Sequence, residues 1–527
     1  MKKNTVITGA DRRTRYFKRL LWGILILSPL LSGLVIGMVS HTSIFHLDAW
    51  NTTWNDEAGY YNAVRIMRTI GLPKGLGGYN EVVSKYPAFG AYNYFTYIPY
   101  ALMSFFTGIS SHNYIIYCNV LMVSAAYIFL IVLLRPTVRQ TVWMILFECT
   151  ELIHARYIWS GMSEAGSIAV TLAVWACFLW LLRQEDRQSG NINFILILQT
   201  VLILFYGVIR PFLLVYILLP VYYIVKSVRG RREKAVKLGI IGGALFGSVF
   251  LYFFMQEYCC AKYFSSSPED SFFSYLRSGQ MLSLIKFIIK VNASAAQSVF
   301  MQMSKFGWIG IVTMGMFLSA VIICVICLLH RNRRDKHYKV QRVSGCLYIC
   351  IALLVYEANI ILYSAEQLHR MLLAPMAAGA VLCCFMFGDA ASCVRQLFTI
   401  SVMAASILLS GGSSYALPQD NVGLTYQEGE SLRGELRHVM PDDDSKNRWD
   451  LGIAFLPVYS DMQIMFCFPA YISGSTCNEN YMYSAIDSDT LKSRYILVQE
   501  RNSDLRARCD AAYHLIWKGY GYLIYSQ

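Results

Sequence analysis

The feature that most constrains this chain is the recurrence of apolar runs long enough to cross a bilayer, for which about 20 residues suffice. Such runs cover Leu20 to Ser40, His112 to Leu134, Thr141 to Ile158, Met162 to Leu182, Ile192 to Ile209, Pro211 to Val225, Leu238 to Tyr258, Phe306 to Leu329, Val343 to Tyr363, Met371 to Gly388 and Leu397 to Ala416. Residues 417 to 527 contain none. Charge divides at the same place: residues 1 to 416 hold 36 Lys and Arg against 18 Asp and Glu, whereas residues 417 to 527 hold 10 against 15. Only 15% of all residues are charged, against about 25% in an ordinary soluble domain, which excludes a soluble enzyme. The expected fold is a polytopic α-helical membrane domain over residues 1–416, with about 11 to 13 crossings, followed by a small α/β domain over residues 417–527.

The basic residues fix the expected orientation. They fall in short clusters between apolar runs, as the positive-inside bias requires, and not in a continuous patch, so nucleic acid is not an expected partner. Lys2, Lys3, Arg12, Arg13, Arg15, Lys18 and Arg19 precede the first run and put the N-terminus in the cytoplasm. That run has no small-residue cleavage site and reads as an uncleaved helix. Lys226 to Lys237 and Arg331 to Arg342 mark the same face. An odd number of crossings then sends the C-terminal domain outside, and the plasma membrane is the expected location. Pro87 to Gly108 is apolar but rich in Tyr, Pro and Gly; counting it as a span breaks this parity, so it reads as a re-entrant or juxtamembrane segment. A first outer loop then covers residues 41–86 and a second residues 259–305. In the second, Phe272, Leu276, Ile285, Ile288 and Ile289 interleave with Arg277, Lys286 and Lys290, the pattern of helices lying on membrane lipid or packed on the tail.

The tail alternates apolar and polar residues over Gly452 to Val458, Met462 to Pro469 and Tyr495 to Gln499, with helical patterning near Leu432 to Met440 and Leu505 to Trp517. Its three cysteines, Cys467, Cys477 and Cys509, permit at most one disulfide among themselves. The other twelve lie in the membrane portion, where a thiol behaves as a small hydrophobe. Cys324 and Cys327 form a lone CxxC inside an apolar run, with no second pair to complete a zinc site.

The residues that speak of chemistry gather on one side of the membrane. Asp56 and Glu57 begin a helical pattern just beyond the first span, Lys85 precedes Tyr86 and Pro87 where the chain re-enters, Arg156 and Glu164 flank an outer helix end, and Arg210 precedes Pro211 between two short apolar runs. His369 and Arg370 open another span from the same side. Ionisable groups at membrane depth are costly and by default mark a site or a mutual pairing. An Arg-Pro step between short helices also bends the backbone, and the freed polar groups require a polar cavity.

Taken in order, Trp54 to Gly71, Ser84-Lys85-Tyr86-Pro87, Tyr157 to Glu164 and Gly207 to Pro211 resemble the successive motifs of GT-C membrane glycosyltransferases, in particular protein O-mannosyltransferases and the lipid A aminoarabinose transferase. The resemblance implies a catalytic base at Asp56, with Glu57 beside it, and contacts to a carrier phosphate from Lys85 and Arg210. It places the second acidic position, often Asp in that family, on Glu164, and gives Glu164, Arg156, His369 and Arg370 substrate-contacting or base-orienting roles. It implies a polyprenyl-phosphate sugar as donor, a glycan, lipid or protein as acceptor, and leaves a divalent metal open as cofactor. The chemistry agrees with such a site: a carboxylate takes the acceptor hydroxyl proton, and cations in a dehydrated pocket stabilise the departing phosphate. The rival readings are a flippase of lipid-linked sugar, whose charges would line a midplane path, and a catalytically silent membrane scaffold.

Overall fold

The computed structural model describes residues 9–40, 55–71, 81, 93–107, 113–184, 191–260, 268–305, 307–329, 336–362, 368–386, 424, 426–442, 448–456, 464 and 467–527. The helices in chain order are α1 (Gly9–Ser40), α2 (Asn55–Thr69), α3 (Ile98–Thr107), α4 (Tyr114–Leu134), α5 (Val138–Thr150), α6 (Leu152–Ile158), α7 (Glu164–Arg183), α8 (Asn191–Ile209), α9 (Leu218–Ser227), α10 (Arg231–Cys259), α11 (Pro268–Arg277), α12 (Met281–Lys305), α13 (Trp308–Leu329), α14 (Lys336–Leu362), α15 (Leu368–Met371) and α16 (Leu373–Phe385). Among the described residues, six helices are long and apolar enough to cross a membrane, in α1, α4, α7, α8, α10 and α14, with shorter apolar helices between them. This is an integral membrane protein. The last apolar run, Leu397 to Ala416, lies outside the described residues.

Helix α7 forms the centre. Its apolar window is 89% buried, against 17% for that of α10 on the periphery. It packs on α4, α8 and α16, and Trp175 sits edge-on to Phe178 and Tyr348. Helix α1 lies against α4, α5 and α6 and carries Pro29 inside it. Proline has no N–H, so the carbonyl four residues back loses its helical donor. The Ser28 hydroxyl replaces it, donating to the Leu25 carbonyl at 2.7 Å. The α4–α5 connection is a local device too: Arg135 takes the left-handed conformation at φ 48°, and Thr137 and Gln140 form a reciprocal capping box at the start of α5.

Two expected spans are built differently from a plain helix. The Thr141 to Ile158 run is divided, with α5 ending at Thr150 and α6 starting at Leu152, and Glu151 between them at ψ 86°. The break coincides with a buried polar cluster in which the Tyr127 hydroxyl donates to Glu148 Oε2 at 2.6 Å and His154 Nε2 lies 3.0 Å from the same oxygen. The Pro211 to Val225 run begins as a 3-10 helix, Pro211–Ile217, before α9 takes over. Within the Pro87 to Gly108 segment, the described part is a 3-10 turn, Tyr94–Thr96, and the ten-residue α3; at 1.5 Å per residue that helix is about 15 Å long, half a bilayer core. Helices α11 and α12 pack on α13, α14 and α15. Their exposed face carries Leu276, Met281, Leu282, Ile285 and Ile289.

The tail holds a five-stranded mixed sheet of β1 (Gly452–Phe455), β2 (Ser473–Thr476), β3 (Tyr495–Gln499), β4 (His514–Gly519) and β5 (Tyr522–Ser526), in the order β2-β1-β3-β5-β4. The first three are parallel and the last two antiparallel to their neighbours, with Ile453 opposite Tyr495 and Tyr495 opposite Ser526. Helices Tyr426–Val439, Glu479–Asp487 and Ser503–Ala512 accompany it. The helical pattern over Leu505 to Trp517 is thus cut short: the helix stops at Ala512 and His514 starts an edge strand. The described residues of Met462 to Pro469 form no strand. No disulfide links Cys467, Cys477 and Cys509, each of which is a buried thiol.

Candidate active site

The site is organised around the tight turn from Trp159 to Ser163 that joins α6 to α7. Asn119 of α4 reaches across it, its amide donating to the carbonyls of Ser160 at 3.0 Å and Met162 at 2.8 Å, while Tyr100 of α3 donates to Asn119 Oδ1 at 3.1 Å. The backbone N–H of Gly161 points the other way and donates to Glu57 Oε1 at 2.9 Å. Arg156, from the last turn of α6, donates to the Trp159 carbonyl at 3.0 Å and lies 3.6 Å from that same Glu57 oxygen. Glu57, in the first turn of α2, is fully buried, and the Arg156 guanidinium and the Gly161 peptide dipole are among the groups that offset its charge.

The far end of the turn carries a second charged cluster. Glu164 begins α7, where the partial positive charge of a helix N-terminus favours a carboxylate. Its Oε1 accepts from Arg370 Nε at 3.0 Å and from Arg370 Nη2 at 2.7 Å, and lies 3.3 Å from Arg210 Nη2. Arg210 also donates to the Ser163 hydroxyl at 2.5 Å. Arg210 holds an extended conformation between α8 and the Pro211 helix, and the two segments come so close that a Cβ on Gly207 would meet Leu214. Asn93, ahead of α3, pins the end of α8 by donating to the Val208 carbonyl at 2.8 Å. All three ionic side chains are buried.

No family model and no curated protein matches the chain. Among solved structures, the apo oligosaccharyltransferase of Archaeoglobus fulgidus is similar, with a TM-score of 0.51 at 10% identity over 90% of this chain and 69% of that one. Apo ArnT of Cupriavidus metallidurans gives a TM-score of 0.41 at 10% identity over 98% of each chain. The archaeal oligosaccharyltransferase, whose fold this chain shares, is a GT-C membrane glycosyltransferase. The chain has a GT-C fold. At this identity the likeness is one of architecture, and the chemistry of the site rests on this chain's own residues.

Within the GT-C fold the predicted residues separate clearly. Glu57, Arg156, Glu164, Arg210 and Arg370 are brought to one turn, although they come from α2, α6, α7, the α8–α9 connection and α15. Asp56 lies on the first turn of α2 beside Glu57, and His369 lies on α15 beside Arg370; the side chains of both, and the whole of Lys85, fall outside the described residues. Glu57 and Glu164 each face an arginine, and among the described residues no three His, Cys, Asp or Glu side chains converge on a point. Asn292, in a sequon that an outer loop could expose, is part of α12 and donates to Glu357 Oε2 at 3.2 Å.

Sequence reasoning missed the groups that hold the site together. Asn119, Tyr100, Ser163 and Asn93 are ordinary polar residues in apolar surroundings, and only their buried depth sets them apart. It also missed two contacts between the first loop and the tail. Arg65 of α2 donates to the Phe468 carbonyl at 2.6 Å; burial and the nearby Arg433 draw its pKa down to about 10. Glu81 accepts from the backbone N–H groups of Lys492 and Ser493, each at 2.5 Å.

Proposed function

We propose that this protein is an inverting glycosyltransferase that moves one sugar from a polyprenyl-phosphate donor to a hydroxyl of a glycan, lipid or protein acceptor on the extracytoplasmic face. The observation that carries this reading is the convergence of Glu57, Arg156, Glu164, Arg210 and Arg370 on the Trp159–Ser163 turn, with Asp56 next to Glu57. The GT-C fold supports it, and the placement of the basic loops supports the orientation.

In this reading Asp56 takes the proton of the attacking hydroxyl as the bond to the anomeric carbon forms and the bond to the carrier phosphate breaks. Glu57 orients the start of α2 through Gly161 and Arg156. The leaving phosphate gains negative charge, which preorganised cations stabilise where water is excluded. Arg210 and Arg370 bring two guanidiniums to this place beside Glu164, and Lys85 adds a third cation in this reading. A single displacement inverts the anomeric centre. A carrier that stays in the bilayer accounts for a reaction centre at the membrane surface.

Asp56→Asn keeps the shape of the side chain and removes the base. Turnover of lipid-linked sugar in membranes is expected to fall by about 10²–10⁴-fold. Turnover equal to that of the unaltered protein would overturn the assignment.

A further inference from the structure

We infer that the C-terminal domain is a structural part of the reaction centre, and that Glu81 is the positioning residue through which it fixes the loop carrying Asp56 and Glu57. The inference rests on the transferase reading for its kinetic consequence but on contacts alone for its structural one.

Glu81 is a charged residue of the first loop. Its side chain nevertheless is buried, because it inserts into the tail. Both oxygens are used: Oε1 accepts from Ser493 N, while Oε2 accepts from Lys492 N and lies 3.4 Å from the Tyr481 hydroxyl. Two successive backbone N–H groups closing on one carboxylate form a concave anion site, and a charge held this way in a buried place gives stronger bonds than neutral partners do. Burial first, and then the Glu81 charge, push the Tyr481 phenol up to about 12, so it stays a donor at neutral pH. The anchored stretch leads directly into β3, the middle strand of the sheet, and Arg494 N is tied to the Trp449 carbonyl at 3.0 Å. Glu81 is thus fastened to the stretch that opens the central strand of the tail.

Arg65 supplies the second fastening, from α2 itself. It donates to Phe468 O and, at 2.7 Å, to Asn62 Oδ1, two turns along the helix that starts at Asn55. One clamp holds the helix bearing the acidic pair, and the other holds the loop that follows it. Together they tie α2 and the loop after it to a domain more than 400 positions away in sequence.

The test uses the full chain in detergent or nanodiscs. Glu81→Gln preserves size but turns an acceptor into a donor facing two N–H groups; Glu81→Asp retains the charge with a shorter reach. Amide hydrogen exchange is followed in peptides covering residues 55–71 and 490–495. Glu81→Gln is expected to speed exchange in both, at least tenfold, with exchange in α7 unchanged, and Glu81→Asp is expected to restore part of the protection. In turnover assays kcat is expected to fall about 100-fold, the cost of a small misplacement, while KM for the lipid-linked donor moves less than about twofold because the phosphate contacts are untouched. Unchanged exchange over 55–71 in Glu81→Gln overturns the inference whatever the activity. Absence of sugar transfer by the unaltered protein, with the exchange result as expected, sinks the transferase reading and leaves the clamp standing. If Glu81→Gln fails to accumulate, Tyr481→Phe decides by the same exchange readout: no rise over 55–71 overturns the inference.

Discussion

Glu164 shows how a single side chain decides the electrostatics of this site. Its one oxygen receives two guanidiniums, and all three groups are buried. Removing one partner from a buried ionic set costs far more than exchanging the set for apolar groups, about 3–5 kcal/mol, because charge is left uncompensated. Glu164→Gln is therefore expected to lower the thermal unfolding midpoint in detergent sharply. Adding a polyprenyl phosphate is expected to restore more stability to that variant than to the unaltered protein, since the anion then supplies the missing charge. Equal stabilisation of both would show that the two arginines do not face a phosphate site. Cys467, Cys477 and Cys509 give a second residue-level expectation. Burial pushes each thiol up from an ordinary value near 9 to about 12. The thiolate is the reactive form, so at pH 8 none of the three is expected to react with maleimide until the tail is unfolded. The unfolded chain ionises first, so the stability these thiols contribute is whole below about pH 9 and is lost as pH rises from there toward 12. Alkaline titration of tail unfolding checks the sign.

At the scale of elements, some features could be read from local sequence and others could not. Arg210-Pro211 announced its own bend, because proline lacks an N–H and fixes φ wherever it stands, and the structure ends the long α8 at Ile209 and starts a short 3-10 helix at Pro211. The break at Glu151 carried no such mark. It has neither proline nor glycine, and it follows from distant partners, with Tyr127 of α4 and His154 of α6 meeting Glu148. The strand His514–Gly519 was hidden for a similar reason: its residues continue a helical rhythm from Leu505, and only pairing with β5, Leu515 opposite Tyr525, decides against it. Among the site residues, those in the membrane stood out because charge is rare there, whereas Glu81 and Arg65 looked like ordinary loop charges until the tail folded onto them. One inter-helix lock invites a direct check. Trp159 donates from its indole to the Pro29 carbonyl at 2.7 Å, and its ring fills the space where a Cβ on Gly33 would stand. Gly33→Ala is expected to destabilise by about 1–3 kcal/mol, the usual cost of overpacking, and to reduce turnover by shifting α6 and with it Arg156. Unaltered melting and turnover together would show that α1 gives way freely at that point.

For the whole molecule, the two unlike halves of the sequence prove to be interdependent. The membrane domain supplies the charged turn, and the tail supplies the partners that orient the first loop above it. Deleting residues 417–527 is therefore expected to abolish turnover while leaving a folded helical bundle, measurable as retained helical circular dichroism in detergent. Near-normal turnover of the truncated protein would show that the membrane domain orders its own loop. The turn between Trp159 and Ser163 has a practical consequence for anyone altering this protein. Short connections at the mouth of a helical bundle are where tags and reporter sequences are customarily spliced. Here the connection is gripped by Arg156, Asn119, Glu57 and Arg210, so one added amino acid would dislodge both charged groups at once, and a label belongs at the far ends of the polypeptide instead.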